Sequence, residues 1–441
     1  MNVDRRDLLV RSGALLSTGA LAGCAGRFPT QSGDPPRATA TATRTSPDVD
    51  PGTVEALVDG NTAFGLALHR TLVDAEPDSN AFLSPYSLSL VLAMAWAGAA
   101  GKTRSAMADA LRFRLDGDRL HPAFNRLDRT LEAQTEASRE TAEEDDDYRL
   151  TAVNAAWTQE GYPFRDAYLD TLARHYGAGM NLVDFRSDPD AARTRVNDWV
   201  ASETDGRIGD LLPEGVVTEL TRLVLTNAVH FEATWAETFE EADTRPGEFA
   251  ALDGTTQEVP MMSQTNRFPY ATVDSTLVVE LPYVGERTGM LLLVPRRGEF
   301  ERFERELTTE RLDELTGALA ERRVDLSMPR FTFRSSLALR PALSTLGMGV
   351  AFDADAADFG RMVDDSETSE RVWLTAVVQK GFVAVDETGT EAVAASGAVG
   401  GSTSMPPRAT VDRPFLFLVR DRETGTVLFL GRVVDAAAAR G

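Results

Sequence analysis

Cysteine, lysine and histidine are nearly missing from this sequence. A single cysteine, Cys24, stands among 441 residues, so no internal disulfide can form and no cysteine-rich zinc site can be built. Histidine occurs only at His69, His121, His175 and His230, with no HExxH spacing. There is no GxSxG elbow, no Walker-type phosphate loop and no GxGxxG fingerprint. No catalytic residue, metal ligand set or cofactor is therefore expected. His230, inside an apolar run, reads as a packed core residue rather than a base.

Lysine appears only at Lys102 and Lys380, and nearly every other cation is arginine. Acidic residues number 68 against 45 basic ones, a net charge of −23. That balance excludes a generally basic nucleic-acid footprint, because phosphate neutralisation needs clustered cations. It suits a halophile-like protein working in strong brine, where salt screens the self-repulsion of such a surface. An anionic polymer cofactor such as heparin is ill matched to it. Hydrophobic residues make up 43% of the chain, enough for a sizeable core.

What is present begins at the amino terminus. Arg5-Arg6-Asp7-Leu8-Leu9 resembles a twin-arginine export signal, followed by a weakly apolar stretch that carries Arg11. A charge inside that stretch argues against a spanning helix, since it costs about 3 kcal/mol near a membrane centre. Leu21-Ala22-Gly23-Cys24 resembles a lipobox, which makes Cys24 the expected lipid anchor and 1–24 the signal peptide. Residues 25–52, rich in Pro, Ser, Thr and Gly, read as a disordered tether. The protein is expected outside the cell, lipid-anchored at its surface or secreted.

From Thr53 the pattern turns globular, with apolar residues at helical spacing through Leu57, Phe64, Leu68 and Leu72. Residues 80–83 read as a short strand, and Ser84-Pro85 as the start of a strongly apolar helix. Gly98 and Gly101 break that helix, and Thr103 is placed to cap the next one. Tyr148 to Trp157 and the run TRLVLTNAVHFEATW read as strands. Residues 299–319 read as one charged amphipathic helix, 322–348 as strand then helix, and 372–390 as one long strand. Helices gather early and strands late, without βα alternation, which predicts a single α+β domain over 53–436.

Between Val385 and Asp421 lies a run of small residues, VDETGTEAVAASGAVGGSTSMPPRATVDRPFLFLVRD. Too little chain follows it for a second domain, so a linker is a poor explanation. Counted by twos, Thr390, Ala392, Ala394, Ser396, Ala398, Gly400 and Ser402 include nothing larger than threonine. Small side chains at every second position leave one face of an extended chain without bulk. Gly389 would supply backbone freedom where the run bends.

Several segments together resemble the serpin family. NAFLSPYSLSLVLAMAWAGAAGKT is similar to its buried helix, LVLTNAVHFEATW to its central strand, and VPMMSQTNRF to one of its strand connections. VVQKGFVAVDETGTEAVAASG is similar to the strand leading into its reactive loop hinge, and VDRPFLFLVRDRETGTVLFLGRVVD to its closing strands. The resemblance implies a mixed central β-sheet A, two further sheets, about nine helices and an exposed reactive centre loop over about 387–407. It implies a suicide-substrate inhibitor of serine-type, and by extension cysteine-type, endopeptidases. The loop is cut, the protease is held as an acyl-enzyme, and the loop inserts into the central sheet.

Aligned from both ends, the reactive bond falls between Thr403 and Ser404, with cleavage after Met405 as the alternative. The hinge becomes Glu387, Gly389, Thr390, Glu391, Ala392, Ala394 and Ala395. Ser84, Ser87 and Asn227 match a polar cluster beneath the sheet, and Gln379 stands where the family often has a histidine. Trp235 matches the point where the loop enters. A helix cap with a hydrogen-bonded strand end, and an ordinary core tryptophan, would explain the same residues locally. The small Thr403 favours an elastase-like or subtilisin-like target over a trypsin-like one, and a monomer is expected. The second reading is a non-inhibitory serpin that acts as a surface-anchored binding or carrier protein.

Overall fold

The computed structural model describes residues 35–142, 148–364, 366–368, 370–390 and 405–439. Cys24 and the rest of the expected signal segment lie outside them.

In chain order the strands are β1 (Arg37–Ala38), β2 (Ala81–Leu83), β3 (Tyr148–Gln159), β4 (Met180–Val183), β5 (Leu223–Thr234) and β6 (Arg245–Ala250). They continue as β7 (Thr256–Val273), β8 (Thr276–Pro282), β9 (Thr288–Val294), β10 (Ala320–Pro329) and β11 (Phe331–Ala338). The last are β12 (Leu374–Val385), β13 (Gly389–Thr390), β14 (Arg408–Thr410), β15 (Phe415–Asp421) and β16 (Val427–Val433). Nine α-helices occur among the described residues: α1 (Pro51–Ala75), α2 (Pro85–Gly98), α3 (Gly101–Ala110), α4 (Gly117–Thr141) and α5 (Asp166–Tyr176). To these are added α6 (Pro189–Glu203), α7 (Phe300–Glu306), α8 (Thr309–Gly317) and α9 (Arg340–Leu343).

The central sheet runs β1-β4-β3-β5-β12-β11, with β13 set against β5. The remaining strands form one hydrogen-bonded set, β14-β10-β7-β8-β9-β15-β16-β2, with β6 beside β7. The two further sheets expected from the sequence are joined by β7, which pairs with β6 and β10 along one part and with β8 at its end.

Strand β5 is buried along its whole length because both its faces are covered. Leu223, Leu225, Val229, Phe231 and Ala233 enter the main core, while Val224 and Ala228 enter a second core under α6. Helix α6 brings Val196, Trp199 and Val200 to that outer face. On the inner side lies α2, apolar all round as a helix between two sheets must be. Ser84 caps it and Pro85 opens it, as expected.

Local readings gave way where a partner lay elsewhere in the chain. Thr103 does not cap α3; its hydroxyl accepts from the Asp358 amide at 2.9 Å. The expected helix over 299–319 is two, broken at Leu307-Thr308, where Thr308 caps α8. Residues 322–348 hold two strands before the helix, not one. The expected long strand over 372–390 ends at Val385, turns, and returns as β13.

The tether is also corrected. From Pro35 the chain is laid along the fold rather than disordered. Arg37 and Ala38 extend the central sheet by pairing with Asn181 and Met180, and the Leu182 amide donates to the Pro36 carbonyl at 2.8 Å. Further on, Arg44 reaches α4, pairing with Asp128 at 2.6 Å and Glu132 at 2.5 Å and donating to Asn125 at 3.1 Å. The Tyr86 hydroxyl donates to Asp128 at 2.9 Å. Pro- and Thr-rich composition marks a chain that cannot bury itself, but here acids and amides from α4 and β4 supply the ordering energy.

Burial pushes the Asp128 carboxyl up to about 6, against the pull of Arg44. Removing Arg44 raises it further, so an Arg44→Ala variant is penalised most where wild-type Asp128 is ionised. The expected loss in the first urea transition is about 2 kcal/mol at pH 8, below the value for a fully buried pair because protonation offers relief. It shrinks at pH 5, where Asp128 is protonated in both proteins. An equal loss at both values would show that Arg44 does not act through the charge on Asp128.

Candidate functional site

The site is built at the head of the central sheet. Strands β5 and β12 pair in parallel from Leu374↔Leu223 to Phe382↔His230, and above that rung they part. The chain leaves β12 at Val385, turns through Asp386–Thr388 and comes back down between them. There Gly389 pairs with Thr234 and Thr390 with Ala233, antiparallel to β5.

The turn is held from several sides. The Asp386 carboxylate accepts from the Thr388 amide at 3.0 Å, the Thr388 hydroxyl at 2.8 Å and the Gly389 amide at 3.2 Å. Trp235 donates its indole N–H to the Asp386 carbonyl at 3.0 Å and its amide to the Thr388 carbonyl at 2.8 Å. Its ring stacks on Tyr283 at 4.5 Å. The Phe239 amide donates to the Glu387 carbonyl at 2.7 Å.

Glu387, buried at 4% exposure, pairs with Arg330 and accepts from the Thr244 hydroxyl at 2.5 Å. Burial alone would raise its carboxyl; the Arg330 guanidinium and the Thr244 hydroxyl outweigh it and hold the group below the ordinary glutamate value.

Gly389 is needed for a different reason from the one expected. It is not among the residues with positive φ. A Cβ there would lie 2.1 Å from the Ala233 carbonyl oxygen. Any side chain would lift the returning strand off β5.

Lower down, a polar layer crosses the sheet on its inner face. Gln379 of β12, Asn227 of β5 and Asn154 of β3 are cross-strand neighbours at one level. Gln379 donates to the Asn227 side-chain oxygen, and Asn227 donates to Asn154 and, at 2.6 Å, to the Ser87 hydroxyl. Ser87 donates to Asn154 at 3.1 Å. The Ser84 amide donates to Gln379 at 3.0 Å, and its hydroxyl to the Leu428 carbonyl at 2.7 Å. Three strands and the start of α2 are thus tied by uncharged groups. Such a network is costly to leave half made, because each orphaned group costs about 1–3 kcal/mol.

The family model described as Serpin (serine protease inhibitor) matches residues 59–436. A serpin-like protein of Thermococcus kodakarensis is 37% identical over 390 residues, covering 87% of each chain. The leukocyte elastase inhibitor of Homo sapiens is 32% identical over 390 residues, covering 86% of this chain and 99% of its own. The chain belongs to the serpin family. Among solved structures, native protease nexin-1 with heparin superposes with a TM-score of 0.76 at 27% identity, over 88% of this serpin and all of the other chain.

Of the residues expected to act in this serpin, Ser84, Ser87, Asn227 and Gln379 meet in the polar layer. Trp235, Glu387, Gly389 and Thr390 meet at the head of the sheet. Glu391, Ala392, Ala394, Ala395 and the bond Thr403-Ser404 lie outside the described residues, as does Cys24. Sequence reasoning missed Asn154, Asp386, Thr244, Tyr283 and Arg330. Asn154 did leave a signal, one amide in the otherwise apolar centre of TAVNAAWT. Arg330 left none, since its role depends on the path of a distant turn.

The sign of the Glu387 shift fixes how the turn responds to acid. A carboxyl held low in the folded state contributes stability above the unfolded value of about 4.3, lost as the pH falls through the folded value. Arg330→Ala weakens the hold, so deuterium uptake at Thr388–Thr390 should accelerate at a higher pH than in the wild type. Mass spectrometry of exchange between pH 3 and 7 reads this. Superimposable profiles would mean that Arg330 does not anchor the hinge.

Proposed function

We propose that this serpin is a suicide-substrate inhibitor of serine-type, and by extension cysteine-type, endopeptidases, cut at Thr403-Ser404. The observation that carries the reading is the seat of Gly389 and Thr390 against β5, above a parallel seam. Continued at that register, Ala392 would face Phe231, Ala394 Val229, Ser396 Asn227 and Gly400 Leu223. In an antiparallel pair, residues directly opposite share a face. All four of those β5 residues point inward, so the small residues of the run would point into the core.

The spring in such a device is a native sheet one strand short. Inserting the loop adds ladder hydrogen bonds worth about 1 kcal/mol each. It also orders residues at about 1–2 kcal/mol apiece, so burial of the small side chains decides the balance. Gly400 and Gly401 weaken the distal part of the new strand. Thr403, small and β-branched, suits an elastase-like or subtilisin-like pocket, in keeping with relatives named leukocyte elastase inhibitor. Export through the twin-arginine pattern and lipid attachment at Cys24 would put this action at the cell surface.

In high salt, incubation with a subtilisin-like or elastase-like protease should give an adduct that survives denaturing electrophoresis, and the loop-cut protein should melt above the intact one. Thr390→Arg should turn inhibitor into substrate, because a charge cannot enter the core without a large penalty. Clean cleavage with full recovery of protease activity would sink the inhibitory reading and favour the surface-anchored carrier.

A further inference from the structure

The foot of the central sheet carries an open groove that neither the polar layer nor the hinge uses. It lies on the outer face where β12 begins and holds about 940 Å³, inside the roughly 300–1,000 Å³ of small-molecule sites. Its apolar lining comes from three parts of the chain. Val216 and Leu220 belong to the segment that leads into β5, Phe352 to the turn after α9, and Trp373, Ala376 and Val378 to the start of β12. Ala338 of β11 stands opposite Val378 in the sheet and lines the groove on the same face. Leu220 is 69% exposed, a large apolar side chain that the fold leaves uncovered at the rim.

The cation on this lining is Arg340. Its guanidinium lies 5.7 Å from the Phe352 ring and donates to the Phe352 carbonyl at 3.3 Å. Among the described residues no carboxylate pairs with it. In a chain with 68 acidic residues against 45 basic ones, an arginine without an acid keeps its planar fork open to an anion from outside. The acid on the lining, Asp353, is turned to its own loop, where its carboxylate accepts from the Asp355 amide at 2.8 Å and the Ala356 amide at 3.0 Å.

The groove also straddles the seam between β5 and β12. Residues 213–220 run into β5, and residues 373–378 open β12. Higher on this face, the loop over 205–210 already spans the seam. Its Arg207 pairs with Glu232 of β5 at 3.0 Å, and Lys380 of β12 donates to its Gly209 carbonyl at 2.8 Å. At the foot, the Arg222 amide donates to the Thr375 hydroxyl at 3.1 Å, and the Arg222 guanidinium lies 5.3 Å from the Trp373 ring.

We propose that this groove binds a small amphipathic carboxylate, such as a medium-chain fatty acid, with its apolar body along Leu220, Trp373 and Val378 and its carboxylate on Arg340. The bound acid joins the approach to β5 with the start of β12 and holds the foot of the seam closed. The inference stands apart from the inhibitory reading, since it concerns the closed sheet alone.

The probe is decanoate, with decanol and decyltrimethylammonium as its neutral and cationic counterparts. Each is titrated into the full chain in high salt and followed by tryptophan fluorescence and calorimetry. Decanoate should bind saturably at one site, about tenfold more tightly than decanol, and the cation should not bind. Arg340→Gln should weaken decanoate about tenfold and leave decanol within about twofold. Ala338→Trp, at an exposed position of β11, should fill the groove and abolish binding of both at an unchanged melting temperature. Bound decanoate should also slow deuterium uptake at residues 374–378. No saturable binding of decanoate, or binding that Arg340→Gln leaves within about twofold, overturns the site. Binding without protection at 374–378 overturns the closure of the seam. A dimer that Leu220→Asp dissociates and decanoate leaves intact would give the groove to a second copy of the chain and overturn the proposal as well.

Discussion

The parallel pairing of β5 with β12 is the contact on which the rest of the molecule depends. Parallel ladders hold slightly less per residue than antiparallel ones, and this one stops at Phe382↔His230 although both strands run on. Inside, Gln379, Asn227 and Asn154 tie it with side-chain amides; outside, the loop carrying Arg207 spans it. Neither tie is a hydrophobic contact that would cost the same at every displacement. Hydrogen bonds of this kind hold within a few tenths of an ångström and then let go, which would suit a seam that opens to admit a strand, as proposed above.

Above the seam a short strand, β13, is held against β5 at the head of the sheet. Gly389 lies against the Ala233 carbonyl because it has no side chain, and Asp386, Trp235 and Glu387 fix the turn behind it. The hinge is over-determined by contacts to β5, to β11 through its neighbour Arg330, and to the segment before β6 through Thr244. For the sheet to gain a strand, the paired rungs of β5 and β12 would have to part while the turn at Asp386–Thr388 stays in place.

The amino-terminal segment adds a tie of another sort. By pairing with β4 and gripping α4 through Arg44, it joins the edge of the central sheet to the helices beneath it. Where such a sheet has to rearrange, a strap from edge to base raises the resistance of the whole edge rather than of one strand pair. In an acidic protein nearly free of lysine, the work falls to arginine, whose planar fork can hold two carboxylates at once, as Arg44 does with Asp128 and Glu132 and Arg432 does in part with Glu304 and nearby carbonyls.

The sequence by itself determined the α+β class, the buried helix opened by Ser84-Pro85, the largely apolar strand β5 and the small-residue alternation of the loop, because each follows from residues a few positions apart. It also marked Ser84, Ser87, Asn227, Gln379 and Trp235, through the order and spacing of whole motifs. Only the tertiary structure decided that the strand from Val372 turns back at Asp386, that Gly389 is required by contact and not by φ, and that the stretch from Pro35 is a strap. It alone brought Asn154, Arg330 and Arg207 to the site. Those outcomes rest on groups distant in the chain, from 23 residues between Arg207 and His230 to 151 between Trp235 and Asp386, and a charge or an amide carries no local mark of the partner it will meet.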